Sequence, residues 1–421
     1  MAFSQAVSGL NAAASNLDVI GNNIANSSTY GFKSSSVAFA DLFSGSDVGL
    51  GVKVSGMVQN FKDGSITKTN DQLHMAITQG GFFRMQDTNG NIFYSRNGQF
   101  KMDADRNVID MQGMKLTGYP AIQGKEGPEI QQGAAPEPIS IPTNMLTAKA
   151  TTEVAMTANL NSMHNQIEKT PNYKFDPSNK ETFNYSSGIS IYDSLGNEHN
   201  INVFFVKTGV VNKNEGKAGP ENWVTQWDIH ALDTSVKDAK SESLGSVEFN
   251  GNGQLVKDEN KFSFGMKSLN GSEPAQVTFN FNGSKQQRVK EDSISNQKQD
   301  GYAAGHFTNY QVESDGKIYG LYSNEQKQVL GQVVLANFSN PAGLASQGDN
   351  VWIETGASGS PVVGTAGSGN FGKLISSSLE ASNVDMSQEL VSMIVAQRNY
   401  QSNAQTIKTQ DQILQTLVSM R

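Results

Sequence analysis

The chain of 421 residues contains no cysteine. This absence excludes disulfide bonds, thiolate metal sites and a cysteine nucleophile at once. No apolar run approaches the 18 residues that a membrane-spanning helix needs. Acidic residues (40) outnumber basic residues (32), which gives a net charge of -8. Because nucleic-acid binding needs a basic face, this balance argues against a nucleic-acid partner. Without disulfides, the chain depends on packing or on assembly for its stability.

Charge is also scarce at the start of the chain. Asp18 is the only charged side chain among residues 1–32, and the first lysine is Lys33. A secretory signal peptide has a basic segment ahead of an apolar core, and this pattern is missing. We therefore expect a protein that is either cytoplasmic or exported by a route that leaves its N-terminus intact.

Apolar residues recur at alternating steps of four and three at both ends of the chain. Gly21, Gln397 and Asp411 interrupt these repeats, and Ala14 and Ala404 occupy two further positions. The large seam residues are Phe3, Val7, Leu10, Leu17, Ile24, Met386, Leu390, Met393, Tyr400, Ile407, Leu414 and Val418. A 3.5-residue repeat is typical of helices that supercoil around each other. It predicts terminal helices that pair as a coiled coil, with each other or with neighbouring copies. An ordinary amphipathic helix docked on its own domain is the alternative for the first seam.

Strand and turn patterns fill most of the chain between these ends. Asn89-Gly90 and Asn97-Gly98 each lie between apolar runs, which is a strong hairpin signal. Apolar residues alternate at 201–205, 223–231 and 277–281, as they do in half-buried strands. The predicted fold class is therefore mixed but mainly β, with nested all-β domains in the middle and terminal α-helices that pair.

Changes in composition divide the chain into predicted segments. Five prolines between 118 and 142 indicate a boundary, and 145–303 is richer in charged and polar residues. We predict an N-terminal helix (1–30), a connector (31–70), a discontinuous β-domain (71–144 plus 304–376), an inserted β-domain (145–303) and a C-terminal helix (377–421). This nesting would bring both termini to one side.

The search for catalytic, cofactor or metal sites gives only weak patterns. Residues 367–372 (G-S-G-N-F-G) match a dinucleotide fingerprint, but no βαβ unit surrounds them. Asp103, Asp105 and Asn107 resemble the start of a calcium loop, but Val108 and Met114 stand where glycine and glutamate are needed. The five histidines are dispersed. We predict turns at both motifs, and no catalytic, cofactor or metal site.

Two blocks of sequence resemble the bacterial flagellar rod and hook proteins. Residues 25–33 (A-N-S-S-T-Y-G-F-K) resemble the family's N-terminal signature, with 8–12 and 22–24 ahead of them. Residues 379–400 resemble its C-terminal block. Residues 42–83 and 328–352 resemble hook proteins more than rod subunits. The insertion at 145–303 makes the chain longer than a typical rod subunit, although the resemblance is weakest there. The signature residues are Ala25, Asn26, Thr29, Gly31, Phe32 and Lys33.

This resemblance implies a structural subunit and not an enzyme. Members of this kind polymerise into the hook, a flexible tube that acts as a universal joint and transmits torque from the rod and motor to the filament. The terminal helices would line the inner channel, and the β-domains would face outward. The implied partners are further copies of the chain, the distal rod protein, the hook cap protein, the hook-filament junction protein and the flagellar type III export apparatus. The implied location is extracellular, without a cleaved signal peptide, a cofactor or membrane insertion.

Three alternatives remain open from the sequence. A flagellar distal rod subunit would share both terminal blocks. A secreted β-rich adhesin or binding module with dimerising helices would expose an apolar patch or an aromatic groove. A glycan-acting enzyme would need two carboxylates about 5–9.5 Å apart in a cleft.

Overall fold

The structure is a computed structural model that describes residues 2–42, 49–124, 127–168, 173–212 and 223–419. Among these residues it has two α-helices, α1 (Ala2–Ala25) and α2 (Met386–Ser419), and short 3₁₀ helices at Lys180–Thr182 and Pro341–Gly343. The rest is mainly strand, which confirms the predicted fold class. The chain forms two compact units. Unit 1 comprises Met1–Pro142, Thr308–Leu321 and Lys327–Arg421, and unit 2 comprises Thr143–Phe307 and Tyr322–Gln326. The finer division into five segments stays a prediction.

The N-terminal part of unit 1 holds a hairpin and the first strands of the main sheet. These strands are β1 (Ser35–Asp41), β2 (Val52–Gln59), β3 (Ile66–Lys68), β4 (Met75–Ile77), β5 (Phe82–Gln86), β6 (Ile92–Ser95), β7 (Lys101–Met102), β8 (Val108–Ile109), β9 (Lys115–Gln123), β10 (Pro128–Ile130) and β11 (Glu137–Pro138). β1 and β2 pair antiparallel with each other as a separate two-stranded sheet. β5 and β6 pair antiparallel around Asn89-Gly90, which confirms that predicted hairpin.

Unit 2 is a β-sandwich. Its strands are β12 (Glu153–Asn161), β13 (Tyr185–Tyr192), β14 (Glu198–Asn212), β15 (Trp223–Asp233), β16 (Glu242–Phe249), β17 (Lys261–Met266), β18 (Ala275–Asn280), β19 (Lys285–Gln287) and β20 (Ser293–Gln299). One sheet has the order β13-β14-β15-β16, and the other has β17-β18-β12-β19 with β20 beside β12. Alternate residues of both sheets, such as Val203, Trp227 and Phe279, share one buried core. Burial of this apolar surface is the main driving force for the unit.

The strands that follow the insertion complete unit 1. They are β21 (Phe307–Val312), β22 (Lys317–Tyr322), β23 (Lys327–Asn337), β24 (Ala345–Gly348), β25 (Val351–Ile353), β26 (Val362–Thr365), β27 (Leu374–Ser376) and β28 (Ser378–Glu380). The main sheet has the order β21-β22-β23-β9-β5-β6-β25-β24. Phe82, Tyr94, Phe338 and Trp352 form a buried cluster on it with edge-to-face ring contacts. Outside this sheet, β27 pairs with β4 and β28 pairs with β3.

One five-residue loop recurs seven times among the described residues. In each loop the first N–H donates to the fifth carbonyl, and the fourth N–H donates to the first carbonyl. The loops begin at Asp87, Asp103, Asp110, Asp193, Asn250, Glu313 and Tyr322. The fourth residue has positive φ in all seven, and it is glycine in five of them. The predicted turn at Asp103 is thus one of these loops, with Arg106 at its left-handed position (φ 65°).

The second predicted Asn-Gly hairpin is wrong. β7, which follows Asn97-Gly98, pairs with β8 and not with β6. A Cβ on Gly98 would lie 1.6 Å from the carbonyl oxygen of Met75, so a side chain has no room there. Gly98 therefore serves a close approach of two backbone segments and not a tight hairpin turn.

Candidate functional site: the junction of the two chain ends

The terminal helices pack against each other in one antiparallel register. A Cβ on Gly9 would lie 2.8 Å from Asn403 Oδ1, so the Asn403 side chain lies directly beside Gly9. A second contact joins Asn23 Nδ2, which donates to Glu389 Oε1 at 3.0 Å. Asn23 lies fourteen residues after Gly9 in α1, and Glu389 lies fourteen residues before Asn403 in α2. Two heptads therefore separate the contacts in both helices, as expected for a coiled coil. The predicted pairing of the chain ends is confirmed.

The predicted seam residues are not fully buried in the single chain. Val7, Leu10, Leu17, Ile24, Met393 and Ile407 are half-buried, and Phe3, Met386, Leu390, Tyr400, Leu414 and Val418 are exposed. The buried residues of α1 are Ala6, Ala12, Ala13, Val19, Ile20 and Asn23, and on α2 the buried residue is Ala396. Most of these buried residues are small, which lets the helices approach closely. The role of the larger seam residues in polymer contacts stays a prediction.

Asn23 connects α1 to strand β1 and to helix α2. Its side chain is almost completely buried, at 1% exposure. Its Oδ1 accepts a hydrogen bond from the N–H of Ser35 at 3.0 Å, and its Nδ2 donates to the carbonyl of Ser35 at 2.8 Å. The same Nδ2 donates to Glu389, as described above. One amide thus connects α1, the start of β1 and the first turns of α2.

A buried cluster of charges lies where the connector meets the C-terminal block. Lys33 Nζ is 2.7 Å from Glu380 Oε1, and both side chains are buried. Arg96 contacts the other oxygen of Glu380 at 3.4 Å and Asp63 at 2.9 Å. The N–H of Gly64 also donates to Glu380 Oε1 at 2.8 Å. The buried Glu380 carboxylate therefore binds two cations and a backbone N–H.

Electrostatics make Lys33 dependent on this carboxylate. Burial lowers the pKa of Lys33 below its ordinary value, and the positive charge of Arg96 lowers it further. Glu380 acts in the opposite direction through its charge and hydrogen bond. An isolated ammonium group in such a place would be costly, so the charged pair is stable only as a unit.

The remaining signature residues shape the turn that leads from α1 into this cluster. Gly31 has φ of 71°, and a Cβ on it would lie 2.5 Å from the backbone nitrogen of Asn97. Its N–H donates to the carbonyl of Glu380 at 2.8 Å. Thr29 Oγ1 donates to Asn26 Oδ1, while Phe32 is buried and Ala25 is exposed. Gly31 is therefore required both for its conformation and for space.

The C-terminal block contacts the connector through Asn383. Its Oδ1 accepts a hydrogen bond from the N–H of Ser34 at 2.8 Å. Its Nδ2 donates to the carbonyls of Asn60 (2.7 Å) and Lys62 (3.1 Å). Together with Asn23 and the charge cluster, this amide joins the two blocks of sequence that the resemblance singled out.

Sequence reasoning included Lys33 among the signature residues but did not predict the roles of Arg96, Asp63 and Asn23. Arg96 is 33 residues from Asp63 and 284 residues from Glu380 along the chain. No local pattern could connect these positions. Asn23 lies in residues 22–24 and Glu380 lies in residues 379–400, and both stretches resemble the flagellar proteins. This resemblance is the signal in the sequence that could have pointed to these two residues.

Within the described ranges, no group of three or more histidine, aspartate or glutamate side chains is arranged to hold a metal ion. The same residues include no helix that is long and apolar enough to cross a membrane. The site described here is thus built from hydrogen bonds, ion pairs and packed helices.

Comparisons with known proteins identify the family. Four family models match: "Flagella basal body rod protein" over 4–33, "Flagellar hook protein FlgE/F/G D1 domain" over 76–156, "Flagellar basal body protein FlaE D2 domain" over 159–302 and "Flagellar basal body rod FlgEFG protein C-terminal" over 375–420. The flagellar hook protein FlgE of Escherichia coli (strain K12) is 53% identical over 421 residues, with 100% of both chains covered. The chain belongs to the flagellar hook protein family. The FlgE of Salmonella typhimurium (strain LT2) is 54% identical over 423 residues, again with 100% of both chains covered.

Membership of the hook family confirms the predicted function class. The chain is a structural subunit of the flagellum that polymerises with itself, and it is not an enzyme. A crystal structure of Helicobacter pylori flagellar hook protein FlgE2 supports the fold, with a TM-score of 0.54 and 15% sequence identity. The match covers 73% of this chain and 98% of that chain. The full-length hook relatives argue against the adhesin, enzyme and rod-subunit alternatives.

Proposed function

We propose that this chain builds the flagellar hook as a flexible tube that transmits torque from the rod and motor to the filament. The observation that carries the proposal is the antiparallel pair of terminal helices, whose close packing leaves large apolar side chains uncovered. Leu390, Val391, Ile394 and Val395 are all about half exposed or more on α2. Apolar surface of this kind on a soluble chain typically marks an interface.

The free end of α2 supports the same proposal. In the register set by Gly9 and Asn403, Ala2 at the start of α1 lies opposite Gln410. Residues 411–419 of α2 therefore extend beyond α1. They carry Ile413, Leu414 and Val418, which are 47%, 55% and 77% exposed. Helices of neighbouring copies would bury these side chains, and burial of an aliphatic side chain contributes about 1.5–3 kcal/mol.

The proposal assigns a position in the tube to the predicted seam residues and to each predicted segment. Phe3, Leu390, Leu414 and Val418 contact helices of neighbouring subunits in the inner tube. The β-domain of 71–144 plus 304–376 lies outside the helices, and 145–303 forms the outer layer. The net charge of -8 and the polar composition of 145–303 suit contacts that exchange as the tube bends.

The partners and route of the subunit follow from its place in the flagellum. We infer contacts with the distal rod protein at one end of the tube, with the hook-filament junction protein at the other and with the hook cap protein during growth. Export through the flagellar type III apparatus would leave the N-terminus intact and deliver the subunit outside the cell. Mass spectrometry of subunits from purified hooks tests this directly, because a cleaved segment would shorten the chain.

Electron microscopy of the assembled full-length chain tests the main proposal. We expect tubes in which α1 and α2 form the innermost layer and the exposed faces of α2 contact other copies. Expression in a strain that lacks its own hook protein should restore hooks and swimming. Tubes with the terminal helices on the outside, or no tubes and no hooks, would contradict the proposal.

A further inference from the structure

The polar contact between α1 and α2 is directional, whereas the contacts of the apolar seam are not. Asn23 uses both its oxygen and its amide nitrogen in hydrogen bonds to Ser35 and Glu389 while it is almost completely buried. Its bonds to the N–H and the carbonyl of Ser35 fix the orientation of the amide plane. The remaining amide hydrogen therefore points in one direction, where it meets Glu389 Oε1.

A shift of α2 by one heptad would break this arrangement. Asn23 would then face Ala396, which has no side-chain acceptor, or Ser382, which precedes the start of α2 at Met386. A buried amide without its acceptor is strongly unfavourable. The apolar seam residues recur every seven residues, so most of them would find new apolar partners after such a shift. The buried amide therefore discriminates between registers much better than the seam does.

Gly9 and Asn403 add a second, steric constraint. The Asn403 side chain occupies the space beside Gly9, where a Cβ would lie 2.8 Å from Asn403 Oδ1. After a shift of one heptad, Gly9 would face Gln410 or Ala396, and Asn403 would face Asn16 or Ala2. Asn16 carries a side chain where Gly9 leaves room for Asn403, and the side chain of Gln410 is one methylene longer than that of Asn403.

We propose that Asn23 and Glu389, supported by Gly9 and Asn403, form a register lock that makes α1 choose the α2 helix of its own chain in one alignment. The inference rests on the proposed function, because in a tube every α1 lies near α2 helices of identical sequence. A single buried polar position is known to specify register and partner in coiled coils. Here Asn23 is a specificity-determining residue, and Ser35 positions its amide.

The absence of cysteine makes the lock directly testable. The observed register places Asn16 opposite Ala396, and a shift of one heptad places Ala13 opposite Thr406. One full-length chain carries Asn16→Cys with Ala396→Cys to report the native register. A second carries Ala13→Cys with Thr406→Cys to report the shifted register. Each is co-assembled with an excess of the unmodified chain, so that tubes form and most cross-links join cysteines of one chain. A short bismaleimide then joins the cysteines, and gel mobility reports the yield.

Glu389→Leu removes the acceptor and Glu389→Gln retains it. We expect the native cross-link to fall several-fold in Glu389→Leu, with a rise of the shifted cross-link. Glu389→Gln should keep the native yield. Gln397→Leu, an exposed position on the same helix, is the matched control and should also keep it.

Unchanged native cross-linking in Glu389→Leu tubes would overturn the register lock. Equal loss in Glu389→Gln and Gln397→Leu would also overturn it, because hydrogen bonding would then not be the cause. Failure of the unmodified chain to form tubes would instead overturn the proposed function, so the two failures are distinguishable.

Discussion

Lys33 and Glu380 are 347 residues apart in sequence, yet their charged groups lie 2.7 Å apart with both side chains buried. The pair joins the residue that ends the N-terminal signature to the last residue of β28, just before α2. Because Arg96 and Gly64 bind the same carboxylate, the terminal blocks and the main sheet of unit 1 share one electrostatic centre.

Glu380→Gln should strongly destabilise unit 1. The substitution keeps the shape of the side chain but leaves the Lys33 ammonium buried without its counter-charge. Loss of one partner of a buried pair costs about 3–5 kcal/mol of the free energy of unfolding. Urea denaturation measures the effect, with tryptophan fluorescence in which Trp352 reports unit 1 and Trp223 and Trp227 report unit 2. Asp315→Asn, which breaks the half-buried pair with Lys317, should cost about 1 kcal/mol or less. Equal effects of the two variants would show that the buried cluster contributes nothing special.

Leu390→Asp should abolish assembly and leave folding intact. Leu390 is 47% exposed in the single chain, so the charge is solvated in the free subunit. In the tube the same carboxylate would be buried at a helix contact, which costs several kcal/mol per subunit. Thermal melting should match the unmodified chain, while electron microscopy should find no tubes. Gln401→Asp, at an exposed position of the same helix, serves as the control for added charge. Normal hooks from Leu390→Asp would refute the assignment of this seam residue.

The recurring five-residue loop predicts that adding a glycine in one loop and removing a glycine from another change the free energy of unfolding in opposite directions. Arg106 has φ of 65° at the fourth position of its loop, and Gly113 has φ of 91° at the same position of the next loop. A side chain in the left-handed region costs about 1 kcal/mol. Arg106→Gly should therefore raise the free energy of unfolding by about 0.5–1 kcal/mol, and Gly113→Ala should lower it by about 1 kcal/mol.

A Cβ on Gly113 would meet no atom within 4 Å, so steric contact does not complicate that comparison. Denaturation of both variants under one set of conditions is the measurement. Two changes of the same sign would show that φ does not control these loops.

Asp193 predicts how unit 2 responds to acid. Burial alone would raise the pKa of Asp193, but hydrogen bonds from Asn197, Ser272 and Leu195 outweigh it and lower the pKa to about 2. An unfolded aspartate titrates near 3.8. As the pH falls, the unfolded chain therefore binds the proton first. The stabilisation is complete above pH 3.8 and is lost as the pH falls towards 2.

This loss corresponds to about 2 kcal/mol for the one carboxyl group. Asp193→Asn should remove that part of the pH dependence, as measured by urea denaturation of the full chain between pH 2 and 7. Asp258→Asn, at an exposed position, should not change the acid part of the curve. An unchanged slope in Asp193→Asn would contradict the assignment.

Deletion within 145–303 tests the proposed outer layer. Leu146 and Gly305 exchange backbone hydrogen bonds of 2.8 and 3.0 Å, so the chain enters and leaves the insertion at neighbouring points. Removal of residues 147–303 with a short glycine-serine linker should therefore leave unit 1 folded and able to assemble. We expect straighter tubes and a loss of swimming that exceeds any loss of export, as seen by electron microscopy and by the amount of exported subunit. Normal curvature would show that the insertion does not set the shape, and an unfolded remainder would refute the segment boundaries.

Local patterns predicted the elements well where neighbours in sequence are also neighbours in space. The hairpin at Asn89-Gly90 is such a case, since β5 and β6 pair across one short loop. Asn97-Gly98 carries the same dipeptide but fails, because Gly98 is needed for a distant contact with Met75. An Asn-Gly dipeptide therefore indicates that a glycine is needed, but it does not indicate whether the glycine forms a hairpin turn or makes room for a distant backbone segment.

The sequence by itself determined the two helices, the strand-rich middle, the absence of cysteine chemistry and the family signatures, because each of these depends on composition or on short-range periodicity. Only the tertiary structure decided which faces meet. It set the α1–α2 register through Asn23 and Glu389, and it brought Lys33, Arg96 and Glu380 into one buried cluster. The physical reason is that hydrogen bonds and ion pairs act over a few ångströms, whereas these partners are separated by hundreds of residues whose folding must first bring them together.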